Sequence, residues 1–324
     1  MECLKENTHF DYRSQLTKQQ KQYFRKKFSE KSLLKGLVWN WCYLGSIYAT
    51  IIMCYYAANT SSSLIWTFIV VFCSVIFCAR QMRGLENIVH FGSHNNFSKN
   101  KKLNDFMTNL FAAWPMLQET VQYRVFHATH HGEYASHKDP CRIRLENIGA
   151  NTQEIKTNTQ LLWLIAKWMP QYNREFYREI SSDYRQIKVF AIWHGVVAII
   201  ITFLHTPELA LFVTFSWMMI MFFLLPFLRS VAEISEHDYE LGESVAATTF
   251  NNLGLLDHLL IHPAGDAWHS LHHLHPTVSW WKQRQAHNYL MENDLAYRNV
   301  INRDKLLQNI AHFPVHSKKL AESK

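Results

Sequence analysis

Nine histidines carry the densest chemistry in this 324-residue sequence. Eight fall into three clusters, His90-x3-His94, His127-x2-His130-His131 and His269-x2-His272-His273, and a ninth, His237, follows Glu233 and Glu236. Imidazole is the commonest metal-binding side chain and suits iron, zinc and copper. One zinc takes about four ligands, so nine are too many for one ion and suit two. Each cluster also lies just beyond a long apolar stretch. The pattern predicts a two-metal centre at a membrane surface.

The spacing says how the rings can act together. On a helix, residues i, i+3 and i+4 share one face, so each His-x-x-His-His run lays three imidazoles along one arc. His90 and His94, on a helix continuing from the apolar stretch before them, sit about one turn apart, a pairing that alone occurs by chance in many proteins. The competing reading of the two triplets is a nonspecific metal-binding tract. Such tracts are usually continuous and lie in polar tails, whereas these runs are separated, identically spaced and set among aromatics. Glu233 lies four residues before His237, so it can orient that ring or act through water; Glu236 either supports a ligand or is a solvated charge. Ligating histidines usually give their other N–H to a carboxylate or carbonyl, and Asp139, Asp266 and the side-chain amide of Asn87 are the candidates. Among the other histidines, His275 falls outside the triplet spacing. His194 lies in an apolar stretch, where a satisfied polar group and a functional one are both open. His137, His258, His262 and His287 read as surface residues.

Four apolar stretches must position these clusters. They cover about 36–58, 62–79, 188–205 and 209–228, each near the roughly 20 residues a helix needs to cross a bilayer. None shows the polar face of a water-soluble helix; a buried core helix is the alternative for the third and shortest. The links 59–61 and 205–207 are short and nearly charge-free, while 1–35, 80–187 and 229–324 hold nearly all the Lys and Arg. The positive-inside rule puts those three regions in the cytoplasm, and with them every histidine cluster. The expected fold class is an all-α, multi-pass integral membrane protein, four transmembrane helices with a cytosolic helical cap that holds the dimetal site. Its divisions are a basic cytosolic N-terminal segment 1–35, a main domain 36–290 and a C-terminal cytosolic tail 291–324, whose last residues, with Lys318, Lys319 and Lys324, read as mobile.

Composition narrows the rest. Hydrophobic content is 48%, near the soluble average, so the membrane reading rests on how apolar residues are distributed. Two shorter aromatic-rich pieces, 106–117 and 161–169, the latter ended by Pro170, suit the membrane interface with Trp114, Trp163 and Trp168 at headgroup depth; ordinary core helices are the equal alternative. The six cysteines include no Cys-x-x-Cys pair, and Cys42, Cys54, Cys73 and Cys78 lie in the first two apolar stretches. That pattern is neither a disulfide framework nor a zinc ribbon or iron–sulfur site. The net charge of +7 suits contact with anionic membrane lipid, and scattered basic residues without a binding motif argue against nucleic acid. The basic N-terminus precedes an apolar run too long for a signal peptide, which reads as a retained span.

Taken in order, His90-x3-His94, His127-x2-His130-His131, Glu236-His237 and His269-x2-His272-His273-Leu274-x-Pro276 resemble the histidine boxes of the membrane fatty acid desaturase/hydroxylase superfamily, over about residues 36–290. The resemblance implies a four-span, mushroom-like fold and a non-haem diiron centre on the cytosolic face. It implies O2-dependent attack on an unactivated C–H bond, with electrons from an external donor. The ligands it implies are His90, His94, His127, His130, His131, His237, His269, His272 and His273. Glu233 stands where many family members carry Asn, and His275 where they often carry an aromatic residue.

Breaking a methylene C–H bond takes an oxidant that protein side chains cannot supply, so a redox metal must. Iron is expected rather than zinc, although the ligands alone permit either. The expected activity is desaturation of an acyl chain on a lipid, acyl-CoA or acyl-carrier. Hydroxylation of a lipid or small-molecule C–H bond at the same centre is the alternative, and the sequence does not separate the two; a small amine or amino-acid derivative is a further substrate class. Metal or haem transport without catalysis is the reading from a different class, disfavoured because transport sites usually lie near the midplane. The run His262-Pro263-Ala264-Gly265 superficially resembles part of a cytochrome b5 haem pocket, but it has no room for a domain and reads as a turn. The electron donor is therefore expected to be a separate protein, a ferredoxin or a cytochrome b5-like one.

Overall fold

A computed structural model describes residues 12–148, 155, 157–180, 183–239 and 244–307. The terminal lysines expected to be mobile, Lys318, Lys319 and Lys324, lie outside the described residues. The main helices are α1 (Lys18–Phe28), α2 (Leu33–Thr60), α3 (Leu64–Ser93), α4 (Lys101–Thr108), α5 (Thr120–Gly132), α6 (Pro140–Asn147), α7 (Asn158–Ile180), α8 (Tyr184–Leu204), α9 (Pro207–Glu236), α10 (His269–Leu274) and α11 (Gln283–Asn293). Two three-residue strands, β1 (Phe250–Asn252) and β2 (Ile301–Arg303), pair in parallel. The chain divides into two compact units, an apolar unit of 32–123 and 177–228, and a histidine unit of 1–31, 124–176 and 229–324.

In the apolar unit, α2, α3, α8 and the first part of α9 belong to four helices long and apolar enough to cross a membrane. Each starts at a side-chain cap, from Ser32, Ser63, Asp183 and Thr206, which accepts one of the backbone N–H groups a helix start leaves over. The helices turn large apolar side chains outward, with Leu64 87% and Phe203 91% exposed. An apolar surface of this kind marks a membrane or partner face, and helices of this length point to lipid. Gly84 lies so close to Tyr43 that a Cβ would overlap the ring, so a small residue is what lets α2 and α3 approach. His194 donates to the Pro115 carbonyl at 3.2 Å and is buried; it is a satisfied polar group. The last turn of α3 is fixed by Asn104, which donates to the Gly92 carbonyl at 2.8 Å and accepts from the Phe97 amide at 3.1 Å.

In the histidine unit, β1 is the hub. Its Asn252 amide donates to Ala267 O at 2.7 Å, and its side chain donates to Ser235 O at 2.9 Å. Asn251 accepts from the Leu271 amide at 3.3 Å, and an antiparallel bridge joins Thr249 to His237. One short strand therefore ties the end of α9, His237 and α10 together. The other support is apolar. Phe24 and Phe28 of α1 pack with Leu271, Val278, Ala286, Leu290, Tyr297 and Val300, so α1 and residues near 300 hold α10 from behind.

Three observations differ from the sequence reading. The expected all-α fold omits the β1–β2 pair, which is too short to leave an alternating pattern. Residues 291–307, expected as a tail, are packed through a fully buried Tyr297. Pro170 does not end its helix; α7 runs through it to Ile180. Leu161, Leu164, Ile165, Tyr172 and Phe176 are buried on one stripe, and that burial outweighs the roughly 3 kcal/mol a proline costs inside a helix. Trp163 on the same helix is exposed.

Candidate metal centre

Seven of the nine candidate histidines lie in the histidine unit, and the fold brings all seven together. His127, His130 and His131 sit on the last turns of α5. His269, His272 and His273 sit on α10, whose Leu271 is fully buried in the core behind them. The i, i+3, i+4 spacing is thus used as the sequence suggested, with three rings on one side and the anchor between them. His237 leaves α9 in extended conformation and is held by its bridge to Thr249.

The seven rings form two groups. In the first, the Nε2 atoms of His127, His131 and His272 lie 3.0, 3.2 and 3.3 Å from one another. In the second, Nε2 of His130 lies 3.3 Å from His273, that of His273 3.0 Å from His269, and that of His269 2.9 Å from His237. The groups meet where the His131 and His273 rings stack at 4.3 Å. Nitrogens about 2.0–2.1 Å from one ion, at angles from right to tetrahedral, sit about 2.8–3.4 Å apart. The observed spacings fall in that window, so these rings fit metal ions.

Charge supports the fit. Burial, then the neighbouring His269, His130 and His131, push His237 well below the usual histidine range. Burial, then His131, His269, His130 and His237, do the same to His273. Both rings are neutral at neutral pH, the form that ligates. His130 is oriented by Asp139, whose Oδ1 is 2.8 Å from Nδ1. Asp139 is completely buried and also caps α6. A carboxylate there holds the proton on Nδ1 and leaves Nε2 as the lone pair.

His90 and His94 belong to the apolar unit. They end α3 with ring centroids 5.8 Å apart, His90 stacks on Phe91, and Asn87 is buried one turn earlier.

The other acidic candidates divide. Glu233 forms an ion pair with Arg144 at 2.8 Å, and that fully buried guanidinium packs on the rings of Phe126, Tyr172 and Phe176. Glu236 Oε2 is 3.9 Å from His269 Nδ1, and its Oε1 is 3.3 Å from His262 Nδ1. Asp266 faces His262 at 3.5 Å.

His262, expected at the surface, is 1% exposed. Burial pulls its pKa down, but hydrogen bonds and charge from Asp266 and Glu236 outweigh it and raise the value to about 9. The turn expected at 262–265 lies at 263–267, and Gly265 takes φ +81 where a Cβ would meet the Trp280 carbonyl at 2.7 Å. His287, also expected at the surface, is buried with Nδ1 3.0 Å from the Tyr297 hydroxyl. His275, set outside the triplet, contacts the Tyr12 hydroxyl at 3.1 Å. Sequence reasoning also passed over Tyr134, whose hydroxyl is 3.3 Å from His237 Nδ1. Its position four residues after His130 was the one available signal.

Comparison with known proteins adds two findings. The sequence model of the fatty acid desaturase family, described as "Fatty acid desaturase", matches residues 64–304. The dihydrorhizobitoxine desaturase of Bradyrhizobium elkanii is 24% identical over 284 residues, covering 79% of this chain and 78% of that protein.

Proposed function

Because the chain belongs to the fatty acid desaturase family, a family of metal-dependent desaturases, we propose that it is a multi-pass membrane desaturase that uses O2 at a histidine-ligated diiron centre. The observation that carries this is the convergence of seven imidazole Nε2 atoms into two groups at 2.9–3.3 Å. By their match to the first histidine box, His90 and His94 complete the ligand set at nine. Two irons bound there would supply the O2 activation and oxidising power that side chains lack. The chain's own part is to keep His237 and His273 neutral, hold His130 in one tautomer through Asp139, and bury the seven rings wholly or, for His131, in part.

Removal of two hydrogens, rather than insertion of oxygen, is supported by the relative, which is named as a desaturase. An acyl substrate is supported by an apolar cavity of about 640 Å³ in the apolar unit, lined by Trp41, Gly45, Tyr48, Trp193 and Val197 among others; that size suits a small-molecule site. A cytoplasmic position for both termini and the centre is supported by the concentration of Lys and Arg in the regions outside the apolar stretches. Electrons come from a separate ferredoxin or cytochrome b5-like donor.

The test is anaerobic purification with iron analysis, then reduction and O2 exposure with acyl-CoA, acyl-carrier and lipid substrates, and with dihydrorhizobitoxine. A product two hydrogens lighter supports desaturation, and one an oxygen heavier supports hydroxylation instead. Protein that binds no iron, or turns over without O2, ends the proposal.

A further inference from the structure

The structure assigns Tyr134 as a positioning residue for the four-ring group, acting through His237; this rests on the metal-centre reading above. Thr248 Oγ1 lies 2.8 Å from the Ser244 carbonyl, which can only accept, so the single hydroxyl proton of Thr248 points there. Thr248 must then accept at its 2.8 Å contact with the Tyr134 hydroxyl. The Tyr134 proton is thereby used, so at its 3.3 Å contact with His237 it accepts from Nδ1–H. A neutral imidazole carries one proton. His237 is left with its Nε2 lone pair directed to His269 Nε2, 2.9 Å away.

The relay reaches the ring at Nδ1, while Nε2 faces His269. Asp139 holds His130 in the same group, and the antiparallel bridge to Thr249 fixes only the His237 backbone. Without Tyr134 the imidazole can carry its proton on Nε2, which would point it at the position an ion must take. Orienting partners of this kind usually contribute about 10- to 100-fold in metal affinity or activity.

The test is cobalt(II) titration of the full chain in nanodiscs, stripped of metal, against a competing chelator, with the cobalt ligand-field absorption as a signature of the site. Helical circular dichroism and melting confirm folding. Tyr134→Phe is expected to weaken one of two ions about tenfold and leave the other unchanged. Thr248→Ala should act in the same direction and Thr248→Ser should retain wild-type binding. Tyr134→Phe with Thr248→Ala should be no weaker than Tyr134→Phe alone, because one break already interrupts the relay. Wild-type binding of both ions by Tyr134→Phe, or losses that add in the double variant, would overturn the assignment alone. Should Tyr134→Phe fail to fold, the contrast between Thr248→Ala and Thr248→Ser decides it: equal binding by both overturns the assignment. A wild-type chain that takes up no cobalt overturns the metal-centre reading and this assignment together.

Discussion

The three-ring and four-ring groups use the same two helices and the same spacing, yet they are built differently. His127, His131 and His272 face one another, with centroids 4.5 to 5.5 Å apart. In the other group, His130 leans on Asp139, His237 on Tyr134, and His269 faces Glu236. The comparison teaches that identical His-x-x-His-His motifs need not give equivalent ion sites. What distinguishes them is the set of residues behind the rings, which the motif does not specify.

The largest effect expected is from deleting one ring of each group. His272→Ala and His273→Ala should each abolish turnover, and iron analysis should show that each loses one ion preferentially. Full iron in either variant breaks the assignment of that ring. Asp139→Asn should next weaken the four-ring ion about tenfold while sparing the three-ring ion, measured by the same chelator competition. Equal weakening of both ions would mean that the groups are one cooperative unit. The smallest effect concerns pH. His262 has a folded pKa raised to about 9 from 6.5, so its stabilising contribution is complete below about 6.5 and is lost as pH rises through about 9. The melting difference between wild type and His262→Gln, a few degrees at pH 6, should shrink steadily between those values. A difference that stays constant with pH would show that the network works by shape rather than charge.

The parts of this molecule legible in sequence are those with a local signature. The four apolar helices follow from length and composition, and the two triplets from helical periodicity. The histidine spacing also foretold that α3 continues beyond its apolar stretch, which it does to Ser93, and α9 likewise runs on to Glu236. Pro170 misled because its local cost is offset by a buried stripe on both sides of it. His262 and Tyr134 were missed for a different reason. His262 is buried by Glu236 and Asp266, and Tyr134 acquires its role from Thr248, 114 residues away. Those meetings depend on β1, three residues long, which leaves no periodic trace.

The wide turn Asp257–Ile261 that precedes His262 closes through a 2.7 Å bond from the His262 amide to the Asp257 carbonyl. Such a turn encloses one residue more than an ordinary α-helical one. Losing a single codon there would let the segment close as an ordinary α-helical turn, with the His262 amide still reaching the Asp257 carbonyl and the ring still between both acids. The wide turn therefore has one residue to spare: a one-residue deletion at Leu259 or Leu260 should be borne, where a one-residue insertion, which nothing in the turn can absorb, is not.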